Sequence, residues 1–296
     1  MQRHSLMVDG HEMVYFTQGD PDSPLLLMVH GWGSYHGIWH STMTQLSDQY
    51  YCVALDLLGF GESAKPLKGD YSIQAQARRV LALADSLGAE QFTLVGHSMG
   101  GMISLLIASE LAPKRVLKLV DVAGVVGGHS TPETERRLFI VVRLAYYFPF
   151  MGTIVRWLTK MEWFANRILR ALWGDLGTVP FEAWAQDRDM GMQPRSHIAN
   201  RLAGDAVYEC NLIPRLQHVT APTLVIFGNQ DGMVPILDGY LVEKYVPDSQ
   251  FIRIDHCGHL PMYERSNEFL SAITVFLRDN PQGQPHHQPQ QVQVSQ

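Results

Sequence analysis

The chain has 296 residues, of which 46% are hydrophobic, and a formal net charge of −6 at pH 7. This length and composition permit one large α/β domain, with or without an insertion, and supply ample apolar material for a buried core. The acidic balance, with Lys and Arg scattered along the chain, gives no electrostatic footprint for binding nucleic acid.

The N-terminal residues lead into an alternating pattern without the apolar core of a signal peptide, so a cytoplasmic location is expected. Three widely spaced cysteines, Cys52, Cys210 and Cys257, fit reduced thiols better than a disulfide framework or a zinc site. The most apolar region, residues 138–158, is interrupted by two arginines and Pro149 and lacks the ~20 uncharged residues of a spanning helix. Contact with a membrane surface stays open but is not expected.

The first elements along the chain are strands. Residues 5–17 predict an opening hairpin, and residues 25–30 and 52–56 predict two buried strands. The pattern then becomes helical, with Ser72 as the expected N-cap and Gly88 as the residue that ends the helix.

Strands and helices alternate in the next segment: a strand at 91–95, a helix at 100–111 and a strand at 115–121. Such alternation is typical of a mostly parallel, twisted sheet with helices on both faces. The expected fold class is therefore α/β.

The alternation stops at Gly124 and resumes near Ala221. Between these points the sequence indicates helices broken by Pro and Gly, and four of the six tryptophans occur there: Trp157, Trp163, Trp173 and Trp184. We interpret residues 125–205 as a helical cap inserted into a core formed by residues 1–124 and 206–280. Because a cap must pack on the core and line the cleft between them, we predict that Trp157, Trp163 and Trp184 help to form a substrate pocket.

The core pattern returns after the cap with a strand at 223–228, a helix near 236–246, a strand at 250–254 and a helix near 264–278. Residues 281–296 are rich in Gln, Pro and His without apolar periodicity, which predicts a disordered tail.

Gly96-His97-Ser98-Met99-Gly100 fits the G-x-S-x-G pattern and lies between a predicted strand and a predicted helix. This is the context of a nucleophile elbow, in which a sharp turn exposes the serine hydroxyl at the helix N-terminus. A Cβ at either glycine would collide with the neighbouring strand or helix. The alternative is a glycine-rich turn that carries an inert serine.

A nucleophilic serine needs a histidine base, and the base needs a carboxylate that holds its tautomer. Asp231 follows the strand at 223–228, and His259 follows the strand at 250–254, so both are expected at strand ends. Two competitors are Asp121, at the end of an earlier strand, and His256, which precedes His259 in the same loop. The loop context favours Asp231, whereas the choice between His256 and His259 stays open at this point.

The order Ser98, Asp231, His259 resembles that of the α/β-hydrolase superfamily. The resemblance covers roughly residues 8–278 and is also carried by His30-Gly31-Trp32-Gly33 and by Asp56-Leu57-Leu58-Gly59-Phe60-Gly61-Glu62-Ser63. It implies an oxyanion hole formed by the backbone N–H groups of Trp32 and Met99. Gly258-His259 before an apolar residue also fits the family pattern, which favours His259 over His256. We further expect that Asp56 organises a loop and that His97 is a packing or hydrogen-bonding residue.

The activity implied is hydrolysis of a carboxylic ester with an apolar acyl or aromatic group, through an acyl-enzyme on Ser98 and without a metal or organic cofactor. The expected partner is a small-molecule substrate. One alternative is hydrolysis of a carbon–carbon bond in a ring-cleavage product, with Arg188 or Arg195 binding a substrate carboxylate, although the Trp that often follows the catalytic His in such enzymes is missing. An interfacial lipase and a non-catalytic binding protein on the same fold are further alternatives.

Overall fold

Eight strands form one sheet in the computed structural model, in the order β1-β2-β4-β3-β5-β6-β7-β8. The structure describes residues 1–128, 131, 147–158, 160–168, 170–175, 177, 185–191, 193 and 195–279. The strands are β1 (Gln2–Val8), β2 (His11–Gln18), β3 (Leu25–Val29), β4 (Tyr51–Leu55), β5 (Phe92–His97), β6 (Val116–Val122), β7 (Thr223–Gly228) and β8 (Ser249–Ile254). Strand β2 pairs antiparallel with β1 and with β4. The other pairs, β4-β3, β3-β5, β5-β6, β6-β7 and β7-β8, are parallel. The predicted α/β class with a mostly parallel sheet is confirmed.

Helices connect the parallel strands. In the described parts of the chain they are α1 (His40–Leu46), α2 (Ile73–Ser86), α3 (Met99–Leu106), α4 (Pro149–Leu158), α5 (Glu162–Ile168), α6 (Ala185–Gly191), α7 (Ser196–Glu209), α8 (Ile236–Tyr245), α9 (Pro261–Glu264) and α10 (Ser266–Asp279). None of these described helices is both long and apolar enough to cross a bilayer.

Two apolar layers cover the two faces of the sheet because side chains alternate along each strand. In β3, Leu27 belongs to the layer that contains residues of α2, α3 and α8, whereas Leu26 and Met28 belong to the layer that contains residues of α1 and α10. All three side chains are fully buried. Burial on both faces explains why the central strands are continuous apolar runs.

The element bounds follow the sequence predictions closely in the core. Ser72 is the N-cap of α2, and its side chain accepts a hydrogen bond from the Ala75 N–H at 3.2 Å. The helix predicted near 264–278 is α10, and the short helix α9, which was not predicted, precedes it. The segment from His36 to Leu46, a short 3₁₀ helix followed by α1, was not predicted because its polar residues show no apolar periodicity.

Between β6 and β7, the longer described stretches from Pro149 to Glu209 are mainly helical and form α4 to α7. Helix α7 continues past residue 205 and ends at Glu209. The boundary between cap and core that the sequence predicted at residue 205 stays a prediction. Residues 281–296, for which disorder was predicted, lie outside the described residues.

Candidate active site

Ser98 lies on the sharp turn between β5 and α3. Its backbone has φ +56° and ψ −118°, a region that a residue with a side chain seldom adopts and that costs about 1–3 kcal/mol. The Ser98 N–H donates to the Val122 carbonyl at 2.9 Å, which fixes the turn to the end of β6. Strain that is held in place by neighbouring strands is typical of a functional serine.

The glycines on either side of the turn are required by close approach. A Cβ at Gly96 would collide with the Gly100 carbonyl, and a Cβ at Gly100 would collide with the carbonyl oxygens of Val29 and His30. All of these are backbone atoms of packed elements and cannot move away. The geometric reason predicted for the two glycines is therefore confirmed.

Asp231 and His259 come together at the carboxyl ends of β7 and β8. His259 Nδ1 lies 2.7 Å from Asp231 Oδ2, and both side chains are buried. The other oxygen of Asp231 accepts the backbone N–H groups of Met233 and Val234, at 2.8 and 3.0 Å. Because a carboxylate only accepts, His259 Nδ1 carries the proton and Nε2 is left as the basic nitrogen.

His97 connects the serine turn to the histidine loop. Its ring lies 4.6 Å from the His259 ring, and its Nε2 lies 2.9 Å from the His259 carbonyl oxygen, to which it donates. Burial and the neighbouring His259 ring hold the pKa of His97 well below its usual range, so His97 is neutral. The predicted packing and hydrogen-bonding role of His97 is confirmed, and this contact brings the turn at Ser98 close to the His259 loop.

The loop after β3 packs directly against the serine turn. A Cβ on Gly31 would lie 2.9 Å from Ser98 Cβ and 2.9 Å from His97 Nδ1. His30 shapes this loop, since its Nδ1 donates to the Gly31 carbonyl at 2.7 Å and its Nε2 accepts the Leu57 N–H at 3.0 Å. Burial lowers the pKa of His30 to about 4, so it remains a neutral scaffold residue.

Trp32 and Met99 are the residues predicted to supply oxyanion donors. Met99 is the first residue of α3 and is buried, and Trp32 follows Gly31 in the loop beside Ser98. The Trp32 indole is partly buried against the core, and its Nε1–H donates to the Asn200 carbonyl of α7 at 2.8 Å. The side chain of Trp32 thus links the loop to α7, and its backbone role stays a prediction.

Asp56 organises the loop that follows β4, as the sequence indicated. Its carboxylate accepts the backbone N–H groups of His36, at 2.7 Å, and of Glu62, at 2.8 Å, and pairs with the His36 ring at 3.0 Å. Its carbonyl accepts the Ser63 hydroxyl at 2.6 Å. Burial alone would raise the pKa of Asp56, but the hydrogen bonds and charge of His36 and the nearby His30 lower it overall.

The competing acid, Asp121, does not contact His259. Its carboxyl is fully buried between Gly101 and Gly124, and neither oxygen has a hydrogen-bond partner among the described residues. Burial, followed by the nearby charge of Asp238, raises the pKa of Asp121 to about 8. A carboxyl that is protonated at neutral pH cannot act as the anionic partner of a histidine. His256, the competing base, is exposed.

Two further carboxylates that the sequence did not assign to the site connect the α4–α7 segment to the core. Glu264 accepts the backbone N–H groups of Gly258, at 2.6 Å, and of Gly174, at 2.9 Å, and so ties the His259 loop to that segment. Asp187 of α6 accepts the Tyr263 hydroxyl at 2.8 Å, and Tyr35 interacts with the same carboxylate. Burial raises the pKa of Asp187 to about 6.

The residues predicted to bind substrate make no described contact with Ser98. Trp157 and Trp163 are 65% and 66% exposed on α4 and α5, and no described contact brings them to the serine turn. Arg188 is half-buried beside Asp187 on α6. Trp184 lies outside the described residues. The substrate-binding role of all four stays a prediction.

A surface groove of about 480 Å³ near Leu25, Tyr51 and Leu117 is not part of this site. These residues lie at the amino ends of the parallel strands, the edge opposite Ser98. Ligands of open α/β sheets bind at the carboxyl ends of the strands, where Ser98, Asp231 and His259 lie.

Comparison with known proteins agrees with this architecture. The family described as the alpha/beta hydrolase fold matches residues 24–266. The chain is 29% identical over 277 residues to Lipase 1 of Psychrobacter immobilis, covering 91% of this chain and 82% of the lipase. The chain therefore belongs to the α/β-hydrolase fold family, and it is a hydrolase.

Two solved structures share the fold. A bacterial membrane phospholipase A has a TM-score of 0.77 and 27% identity, with coverage of 94% of this chain and 86% of the phospholipase. A meta-cleavage product hydrolase from Pseudomonas fluorescens IP01 also has a TM-score of 0.77, but 19% identity, with coverage of 94% and 98%. The second likeness concerns the fold alone.

Proposed function

We propose that this chain is a serine hydrolase of carboxylic esters, with Ser98 as nucleophile, His259 as general base and acid, and Asp231 as the carboxylate that orients His259. The observation that carries the proposal is the 2.7 Å hydrogen bond between His259 Nδ1 and Asp231 Oδ2, beside a strained serine turn. This bond leaves His259 Nε2 free of the tautomeric proton, as a base must be.

The reaction begins when His259 Nε2 takes the proton of Ser98 Oγ as that oxygen attacks the ester carbonyl. The backbone N–H groups of Trp32 and Met99 then donate to the oxyanion of the tetrahedral intermediate. Collapse of the intermediate expels the alkoxide, which leaves with the proton from His259. Water, deprotonated by His259, attacks the acyl-enzyme, and release of the acid restores Ser98. No metal or organic cofactor takes part in these steps.

An ester with an apolar acyl or aromatic group is the proposed substrate. The apolar composition of the α4–α7 segment supports it, as do the names of the relatives, which include Lipase 1 of Psychrobacter immobilis and a pimeloyl-[acyl-carrier protein] methyl ester esterase. A cytoplasmic location, expected from the sequence, belongs to the same proposal.

The test is a burst assay with p-nitrophenyl esters of increasing acyl length. The intact chain should release one equivalent of p-nitrophenol in a burst, and Ser98→Ala should abolish it. His259→Ala should do the same, whereas His256→Asn, in the same loop, should retain the burst. An intact chain that turns over none of the esters would refute the ester proposal and leave carbon–carbon bond hydrolysis as the activity to test next.

A further inference from the structure

An apolar stripe on α4 faces solvent. Phe150, Ile154 and Trp157 are spaced i, i+4 and i+7, so they lie on one side of the helix. They are 62%, 43% and 65% exposed. Met151 and Leu158 lie next to the stripe on one side of α4 and are only partly exposed, so that side of the helix turns toward the rest of the protein. We call Phe150, Ile154 and Trp157 the apolar stripe.

Further large apolar residues close in the sequence are also exposed. Phe148, just before α4, is 51% exposed and its ring meets that of Phe150 edge to face, with centroids 6.1 Å apart. Trp163 on α5 is 66% exposed. A cluster of large apolar side chains in water is costly, and on a water-soluble surface it marks a place of contact with another molecule.

The charge beside the stripe is positive, although the chain as a whole is acidic. Residues 147–170 contain Arg156, Lys160, Arg167 and Arg170 but only one acidic residue, Glu162. Lys160 and Arg167 are exposed. Trp and Phe beside Lys and Arg are the composition of helices that lie at the surface of anionic membranes.

We propose that the apolar stripe of α4 binds to the surface of an anionic phospholipid bilayer. Phe150, Ile154 and Trp157 enter the boundary between headgroups and acyl chains, and the cations that follow in the sequence stay at the level of the lipid phosphates. The helix lies in the plane of the membrane and does not cross it. This role goes beyond the proposed ester hydrolysis and does not depend on it.

The experiment measures binding without turnover. The full chain carrying Ser98→Ala is mixed with sucrose-loaded vesicles of phosphatidylcholine alone or of an equal mixture of phosphatidylcholine and phosphatidylglycerol, and the sedimented fraction gives the partition coefficient. We expect about tenfold stronger partition onto the anionic vesicles, and a loss of most of this preference at high salt.

Substitution of the stripe should abolish this binding. Phe150→Glu combined with Ile154→Glu should lower the partition coefficient by about tenfold or more, because charge then replaces the inserted apolar groups. The matched control is Leu67→Glu, since Leu67 is 61% exposed on the core, and it should bind like the parent. In a chain that keeps Ser98, the stripe substitutions should leave hydrolysis of a soluble ester unchanged, which shows that the protein is folded.

The proposal would be overturned by no sedimentation with anionic vesicles, by equal loss in the Leu67→Glu control, or by full binding of the stripe variant. Sedimentation velocity without lipid tests the other occupant, a second copy of this chain. A dimer that the stripe substitutions dissociate, with no vesicle binding, would also overturn the proposal. Failure of the ester proposal would instead appear as a missing burst, whatever the vesicles show.

Discussion

His97 and His259 contact each other at the carboxyl edge of the sheet, with ring centroids 4.6 Å apart and with His97 Nε2 donating to the His259 carbonyl at 2.9 Å. His97 directly precedes Ser98, so one residue links the backbone of the proposed nucleophile to the backbone of its proposed base. The Asp231 hydrogen bond fixes the His259 ring, whereas His97 fixes the main chain from which that ring projects.

Removal of the His97 donor should impair the positioning of His259. In His97→Phe an aromatic ring is kept but the buried His259 carbonyl loses its donor, which should cost about 1–3 kcal/mol of stability. We expect kcat for a soluble ester to fall about tenfold with little change in KM, because the loss affects the base and not substrate binding. His97→Gln, which keeps an N–H donor, should recover part of the rate. Equal kcat in His97→Phe and the parent would contradict this positioning role.

Asp231→Asn should lower kcat by about 10³–10⁴-fold, because an amide no longer selects the His259 tautomer with its proton on Nδ1. The comparison variant is Asp121→Asn, which alters the other candidate acid and should keep kcat within about twofold, since Asp121 does not contact His259. Steady-state kinetics of both purified variants measure the difference. If Asp121→Asn were the more damaging change, the assignment of the acid would have to be reversed.

The buried Asp121 should make stability depend on pH. Its pKa in the folded protein is about 8, far above the value of about 3.9 in an unfolded chain. Between these values the folded state holds a proton that the unfolded state has lost, so this carboxyl's contribution to stability is full below about pH 4 and is lost as the pH rises through 8. Asp121→Asn removes the titration. As the pH rises from 5 to 9, the unfolding free energy of the variant should therefore increase relative to that of the parent by about 2–4 kcal/mol. The increase should appear as a growing difference between the two urea midpoints. A constant difference across this range would argue against the raised pKa.

Gly100→Ala should strongly destabilise the serine turn. The new Cβ would collide with the carbonyl oxygens of Val29 and His30, both of which belong to the centre of the sheet and its adjoining loop. We expect a loss of about 3 kcal/mol or more in unfolding free energy and little residual activity. Gly177→Ala is the control, because its Cβ would meet only the side chain of Asp175, at 3.3 Å. Thermal unfolding of the two variants should separate them clearly.

The sequence predicted the core elements and the approach of Asp231 to His259 because both depend on local signals. Each residue follows an apolar strand, and parallel strands bring their carboxyl ends to one edge of the sheet. The hydrogen bonds of Glu264 to Gly174 and of Tyr263 to Asp187 could not be predicted in this way. Each joins segments about 75–90 residues apart through a single side chain, and such a contact leaves no periodicity in the sequence.

Asp187 should hold helix α6 against the core. Its carboxylate accepts the Tyr263 hydroxyl at 2.8 Å and interacts with Tyr35, so Asp187→Ala would leave one buried and one half-buried tyrosine without its acceptor. We expect amide hydrogen exchange in residues 185–191 to accelerate by about tenfold or more, while exchange in β5 and β6 stays unchanged, because local opening of α6 does not require the sheet to unfold. Gln186→Ala, at an exposed position on the same helix, should leave exchange in residues 185–191 close to that of the parent. If the two variants exchanged alike, α6 would be held by its apolar contacts and not by this carboxylate.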